Sequence, residues 1–283
     1  MPELPEVETV RRGLEARVLG HRITAAEVGH AQVIDGPADA FEQDVRGVIR
    51  RLDRKGKAIA IELTAAARPA RAGNDADSPH YLLVRLGMTG QVTVVPRDGP
   101  VEPHTHVRLT LENGEEIRYR DIRRFGRLRY CTAAELEGVF SRLGPDAPSV
   151  KPQEFLAALK GRRTPVKNWL LNQGRLAGVG NIYADESLFA ARIHPLTEAG
   201  RLKRPEALAL RRAVEGVLRR AVALQGTSLR DYIDIDGNPG RFATRLKVYQ
   251  RTGEPCRRCG TKIRRVVIGG RSSHFCPHCQ RRK

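Results

Sequence analysis

The chain has 283 residues, 40% of them hydrophobic, which is length enough for two domains that each bury a core. Fifty lysines and arginines against 32 aspartates and glutamates leave a formal charge of +18 and point to a polyanionic partner, most often nucleic acid; charge alone does not separate DNA from RNA or an anionic membrane. No apolar stretch approaches the roughly 20 residues of a membrane helix and the opening lacks the apolar run of a secretory signal, so the expected location is the cytosol.

The first ten residues, MPELPEVETV, place proline directly behind the initiator methionine and put Glu3 and Glu6 within one helical turn. Removal of Met1, which the small Pro2 permits, would expose a secondary amine beside carboxylates, a reactive group. Val7, Val10, Leu14 and Val18 follow at steps of three and four, which predicts an amphipathic helix over 6–19 with Pro5 near its first turn. The period then changes to two in AIAIEL, QVTVV, HVRLTL and EIRYR, with Asn113-Gly114 as a hairpin turn, so the first half is expected to be mostly antiparallel β. Residues 65–80 carry turn formers without a period and are expected to be a loop between strands. Cys131 ends an apolar strand pattern and is expected in the core.

After Cys131 the apolar spacing becomes helical from TAAELEGVF onward, and LGPDAPSVKP at 143–152 has the Gly and Pro punctuation of a linker. Helices are expected at 153–160, 166–172, 182–191 and 205–224, followed by a loop and a cysteine-rich segment. There is no internal repeat.

Five cysteines are an odd number, and four of them fall in CRRCGTKIRRVVIGGRSSHFCPHC, which argues against a secreted disulfide framework. Cys256-x2-Cys259, sixteen residues, then Cys276-x2-Cys279 has the four-thiolate spacing of a structural zinc ribbon. Two short turns can converge on one tetrahedral ion while the intervening residues form a hairpin around Gly269-Gly270. A closed four-thiolate set has a folding role, because a catalytic ion needs an open position. With all four cysteines in place, His274 and His278 are expected at the surface or on phosphate. From Arg241 to Lys283 there are 13 basic residues and one acid, Glu254, so two-thirds of the excess charge sits here. Arg264, Arg265 and Arg271 on the hairpin suit bidentate phosphate contact; the alternative is a module that docks on the protein with its charges solvated.

Two features remain open on residues alone. NQGRLAGVGNI joins two helical patterns, with Asn181 expected at the N-cap of the second, and is either a phosphate-binding turn at a helix N-terminus or a plain helix connection. Met88 lies between Gly87 and Gly90, and Phe125 between arginines and Gly126. They are either wedges for a base stack or ordinary packing residues.

MPELPEVETV, KGKAIAIEL, LGMTGQV, RDIRRFG, GVGNIYADESLF and the four-cysteine segment, in this order from Met1 to Cys279, resemble the bacterial formamidopyrimidine-DNA glycosylase family. The resemblance implies an α+β protein: an N-terminal antiparallel β-sandwich domain with the catalytic helix (1–132), a linker region (133–152), a helix-two-turn-helix domain (153–241) and a zinc finger (242–283). DNA is expected in a basic cleft between the domains. It implies a bifunctional enzyme that excises 8-oxoguanine and ring-opened purines, with Pro2 as nucleophile. An α-amine titrates near about 7.7–8.0 against roughly 10.4 for lysine, so it is more often uncharged at neutral pH. Attack on the sugar C1′ displaces the base and leaves an iminium, which acidifies the C2′ proton and leads to strand cleavage by successive eliminations.

By the same resemblance Glu3 protonates the sugar oxygen, while Glu6 positions the amine, relays a proton or serves only as a helix-terminal charge. Lys57 reaches the phosphate and sugar and assists elimination. Met88, Arg123 and Phe125 fill the gap left by the extruded nucleotide, with Arg123 facing the orphaned base. Asn181, Arg271, Arg162 and His104 clamp the flipped phosphate, Arg271 also serving the second elimination, and Lys167 joins the DNA-contacting set. Residues 227–242 correspond to the loop that closes on the base, with Arg230 where some relatives have lysine. The expected partner is damaged double-stranded DNA, bound by a monomer with one structural zinc and no membrane association. The rivals are an endonuclease VIII-like enzyme for oxidised pyrimidines, which typically has glycine in place of Leu4, and a non-catalytic zinc-dependent nucleic-acid binder, which leaves MPELPE unexplained.

Overall fold

The computed structural model describes residues 2–64 and 79–282; the expected loop at 65–80 therefore lies, through residue 78, outside the described residues. The chain divides into two compact units, one of residues 1–142 and 225–241 and the other of 143–224 and 242–283.

The first unit opens with α1 (Leu4–Val18), whose Val7, Val10, Leu14 and Val18 are all buried, so the three-and-four spacing marks its core face. Burying each such side chain contributes roughly 1.5–3 kcal/mol. Pro5 sits in the first turn, where its missing N–H would have had no partner in the helix. Then come β1 (Arg22–Val28), α2 (Ala38–Asp44), β2 (Gly47–Lys55), β3 (Ala58–Leu63), β4 (His80–Arg85), β5 (Gly90–Pro96), β6 (Thr105–Leu111), β7 (Glu115–Asp121), β8 (Arg127–Thr132) and α3 (Ala133–Phe140).

The strands pair antiparallel in the order β5-β7-β6-β1-β2-β3-β4-β8. The β1–β2 link is brief, pairing only Arg22 with Val48 and Ile23 with Gly47, so the array bends there into two four-stranded sheets. Their inner faces share one core: Val92, Val94, Val107, Leu109 and Ile117 from one sheet join Ile49, Ile59, Ile61, Leu82 and Leu128 from the other, with α1 against them. Cys131 is buried with Leu83 and Leu136 in a smaller cluster under α3, and burial pushes its thiol up to about 11. A thiol held protonated in this way is inert, as a core residue should be. Gly114 takes φ +86° in the Asn113-Gly114 turn, where Asn113 Oδ1 accepts from Glu115 N–H at 3.1 Å.

The second unit carries α4 (Pro152–Leu159), α5 (Val166–Leu171), α6 (Asn181–Ala190) and α7 (Arg204–Ala223), each within one residue of its expected bounds, then the hairpin β9 (Arg264–Ile268) and β10 (Arg271–Phe275). Phe155, Trp169, Tyr183, Leu188, Leu210 and Leu218 form its core, with Phe155 and Trp169 edge to face at 5.2 Å. Among the described residues no helix is long and apolar enough to cross a membrane.

Candidate active site

In the first unit Pro2 and Glu3 are buried at the start of α1, Glu3 being 1% exposed. Glu6, equally buried, turns its carboxylate back onto this start. Oε2 accepts from Glu3 N–H at 2.8 Å and Oε1 from Thr227 N–H at 2.7 Å, while the Glu6 carbonyl accepts from Tyr232 OH at 3.4 Å. Glu6 is thus both the cap of the first helical turn and the tie between that turn and the 225–241 segment. Gly226 has φ +83°, and a Cβ there would lie 2.9 Å from Glu6 Oε1, so this approach admits only glycine. Leu229, Arg230 and Asp231 form the exposed tip of the segment.

Lys57 lies half-buried in the two-residue turn between β2 and β3, beside Gly56 at φ +57°. The turn is anchored by Arg54, which donates to the Gly56 carbonyl at 3.1 Å and to Glu8 Oε2 of α1 at 2.8 Å. Burial alone would raise the Glu8 carboxyl, but hydrogen bonds from Arg11, Arg54 and Arg12 outweigh it and lower its pKa to about 2. The Lys57 turn and the helix that starts at Glu3 are therefore braced by one ion pair.

Met88 is half-buried in the turn before β5, and Arg123 and Phe125 are exposed on the 122–126 loop between β7 and β8, Phe125 at 55%. The Arg123 guanidinium lies 4.6 Å from the Phe125 ring centre. Phe125 thus has no place in the core. His104 is exposed before β6 with φ +68°. These three segments meet at Asp121, a residue the sequence did not single out; its one signal was an acid inside the basic run RYRDIRRFGR.

In the second unit α5 and α6 are joined by a glycine-containing turn that Gln173 organises, donating to the Val179 carbonyl at 2.8 Å and accepting from Gly178 N–H at 2.9 Å. Asn181 was expected at the N-cap of α6 and is instead its first helical residue, because the extended conformation that a cap requires falls on Gly180. Its Oδ1 is buried and has no hydrogen-bond partner among the described residues. Arg162 is exposed beyond α4, and Arg271 is exposed at the start of β10 opposite Ile268, at the turn end of the hairpin, with Arg264 and Arg265 toward its other end.

Lys167 and His274 are placed differently from expectation. Lys167, expected on DNA, is 0% exposed, and its ammonium binds Asp185 Oδ1. His274, expected at the surface or on phosphate, is buried on the same carboxylate: its N–H and ring Nδ1 lie 2.8 and 3.0 Å from Asp185 Oδ2. Ser273 OH completes the set at 2.9 Å from Oδ1. A buried carboxylate needs several donors, and β10 supplies them from alternate atoms of one strand edge. The next residue, Glu186, accepts from the N–H groups of Lys247, Val248 and Tyr249 at 2.9–3.0 Å, so the chain entering the finger also hangs from α6. His278 is exposed, as expected.

The Sγ atoms of Cys256, Cys259, Cys276 and Cys279 all lie within 4.8 Å of one another, as four ligands at about 2.3 Å from a single zinc require. Burial, then hydrogen bonds with neighbouring sulfurs, push Cys279 up to about 12, whereas hydrogen bonds with Thr261 lower Cys259 to about 6; four thiolates this close repel one another and need a cation between them. The site fits one structural zinc with no open position. Val248, Ile263 and Phe189 pack around the ligands.

Residues 1–128 match the family model described as the formamidopyrimidine-DNA glycosylase N-terminal domain, residues 143–232 its H2TH domain, and residues 253–282 the zinc finger found in FPG and IleRS. The chain is 41% identical over 285 residues to formamidopyrimidine-DNA glycosylase of Herpetosiphon aurantiacus, covering 99% of this chain and 100% of that protein. Two solved structures of the Lactococcus lactis Fpg are 31% identical to it and cover 99% of this chain and 100% of theirs. One holds abasic-site DNA and has a TM-score of 0.88; the other holds Fapy-dG DNA and has a TM-score of 0.87.

Proposed function

The chain belongs to the formamidopyrimidine-DNA glycosylase family, and from that membership we propose that it is a bifunctional DNA glycosylase and abasic-site lyase that removes oxidised purines from duplex DNA in base excision repair. The observation that carries the chemistry is the buried Glu3 carboxyl next to Pro2, at a helix start fixed by Glu6. Once Met1 is removed, the Pro2 nitrogen attacks C1′, the base departs with the glycosidic electron pair, and the proton that the alkylated nitrogen sheds goes to the departing base. Glu3 gives a proton to O4′ as the sugar ring opens, and the nitrogen lone pair completes an iminium. Loss of the C2′ proton then expels the 3′ phosphate, and a second elimination, served by Arg271, expels the 5′ phosphate. Lys57 stays on the sugar-phosphate beside this step. Glu6 holds the helix start in place and keeps the 225–241 segment, with Arg230 at its tip, in reach of the base.

Met88, Arg123 and Phe125 fill the space of the extruded nucleotide. Exposure of Phe125 on a glycine-flanked tip supports this role over core packing. Asn181, Arg162, Arg271 and His104 take the flipped phosphate; the unpartnered amide oxygen of Asn181 supports this role, since an amide whose oxygen is not tied inside the protein can turn its NH2 to a phosphate. Lys167 contributes to DNA binding by holding β10 from inside. The enzyme acts as a monomer on nucleoid DNA in the bacterial cytoplasm, the sandwich as catalytic domain and the helical part and finger as the DNA-holding domains.

Borohydride reduction during turnover on 8-oxoguanine duplex should trap a covalent complex visible on a denaturing gel. A retained Met1 or an N-terminal tag should abolish the adduct and strand scission and leave lesion binding intact. Glu3→Gln should bind and barely excise. A tagged protein that cleaves as fast as the untagged one would remove the amine mechanism and make Lys57 the candidate nucleophile. Faster scission of thymine glycol than of 8-oxoguanine duplex would favour the pyrimidine enzyme.

A further inference from the structure

We infer that Asp121 is a positioning residue that sets the Met88 turn, the Arg123–Phe125 loop and the His104 turn in one fixed arrangement, so that the gap filler enters the base stack as a preformed unit. The inference rests on the filler role proposed above. Asp121 is 0% exposed at the end of β7. Its Oδ1 accepts from Thr89 OH at 2.5 Å and Arg123 N–H at 3.2 Å; its Oδ2 accepts from Gly126 N–H at 2.8 Å and Tyr119 OH at 3.0 Å. Its own N–H donates to the His104 carbonyl at 3.1 Å, and its carbonyl lies 2.9 Å from His106 Nε2. Thr89 Oγ1 accepts in turn from Arg123 N–H at 3.1 Å, which closes a ring between the two filler segments.

Around this carboxylate the segments pack backbone to backbone. A Cβ on Gly87 would lie 2.4 Å from Gly126 N, and one on Gly126 would lie 1.9 Å from Tyr119 Oη and 2.6 Å from the Arg85 carbonyl. There is no slack for either loop to move alone. Burial would raise the Asp121 carboxyl, yet its four donors lower it, so the acceptor stays ionised at neutral pH.

Tyr119 is a core residue of β7, but the other three donors, Thr89, Arg123 and Gly126, belong to turns whose tips, Met88, Arg123 and Phe125, lie outside the core. Their order serves the tips. A tip that is already fixed loses little conformational freedom when it replaces a base in the stack, whereas a loose tip must be ordered at that moment. Asparagine at 121 keeps the shape but turns an NH2 toward two of these donors, leaving at least one loop N–H or hydroxyl unpaired.

The test compares two substrates in the full-length protein: excision of 8-oxoguanine from duplex, which needs extrusion, and elimination at a preformed abasic site in single-stranded DNA, which has neither base nor stack to displace. Asp121→Asn should slow single-turnover duplex excision about ten- to a hundredfold, the range expected for an unpaired buried donor, and slow abasic elimination far less. A 2-aminopurine beside the lesion should show slower unstacking by the same factor. Thr89→Val and Tyr119→Phe, which each remove one donor and keep the rest, should give a smaller loss in the same direction with unfolding midpoints near that of the parent, so a poorly folded Asp121→Asn does not block the test. If the two substrates slow in parallel in these variants, or if neither slows in Thr89→Val and Tyr119→Phe, Asp121 does not position the filler. Phe125→Ala run alongside separates the two ideas: normal duplex excision by Phe125→Ala ends the filler proposal itself, while slow excision by Phe125→Ala with normal excision by the Asp121 and Thr89 variants ends only the positioning role.

Discussion

Asp121 in the sandwich and Asp185 in the helical unit are both wholly buried carboxylates that gather the segments facing outward, but they do so with different partners. Asp121 takes two hydroxyls and two main-chain N–H groups, all neutral. Asp185 takes a lysine ammonium together with Ser273 and His274 from the hairpin, and the same hairpin leads into a metal site. A neutral donor set depends on backbone geometry, so damage to it should stay within the loops. A charge pair in a dry interior depends on both partners at once, and removing one leaves an uncompensated ion. The loops around Asp121 are therefore expected to fail locally, and the finger to fail as a whole.

The widest separation between the two regions should come from the metal. Chelation, or Cys256→Ser, should release the finger, because ligation of structural zinc is worth about 10–16 kcal/mol of folding free energy in small modules. Amide exchange should rise across 253–280 and DNA affinity should fall, while protection of α1 and the sandwich stays unchanged; uniform exchange would mean that the two regions are not independent. Next, Lys167→Met should destabilise the second unit by about 3–5 kcal/mol by stranding Asp185, and replacing Asp185 with leucine in the same chain should recover part of it. Calorimetry of the single and double variants checks both.

Gly126→Ala tests the sandwich side. With Tyr119 Oη and a carbonyl in the way, it should cost about 1–3 kcal/mol through overpacking, and Tyr119→Phe should restore only part because the Arg85 carbonyl remains. A smaller effect is expected from Glu8. Its pKa is lowered from 4.5 to about 2, so the ionised form stabilises the fold above about pH 4.5 and that contribution is lost as pH falls toward 2. After screening this amounts to roughly 1–2 kcal/mol, and urea midpoints of Glu8→Gln should lose less between pH 6 and 3 than those of the parent. Least of all, Arg271→Ala should leave stability unchanged and lower the slope of log affinity against log salt by about one phosphate contact.

Most of the framework was legible in the residues. The three-and-four spacing of Val7, Val10, Leu14 and Val18 marked the core face of α1, because a single buried face leaves its period in the sequence, and AIAIEL marked β3 residue for residue, with Ile59, Ile61 and Leu63 in the sandwich core and the small Ala58 and Ala60 in the cluster under α3. The cysteine spacing gave the metal site for a related reason: ligand geometry restricts where each thiol can stand. Burial of charged groups left no such trace. Lys167 and His274 stand in a basic chain like any surface residue, and only the fold reveals that one aspartate on α6 takes both. Asp121 was hidden in the same way, since its partners come from 32 residues before it as well as from its own loop. The helix cap moved by one residue because Gly180, with no side chain to announce it, took the extended conformation beside Asn181.

The first unit is not one continuous piece of chain: residues 225–241 return to it after the four helices of the other unit have been made. A truncation at residue 142 would strip α1 of Ile235, which fills the space over Gly13, and would leave the Glu6 carboxylate without Thr227 N–H. The start of α1 therefore cannot gain its last partners until residues 225–241 have been made. A chain terminated before residue 225 would carry the sandwich strands and α1 without the segment that completes the hydrogen bonding of Glu6.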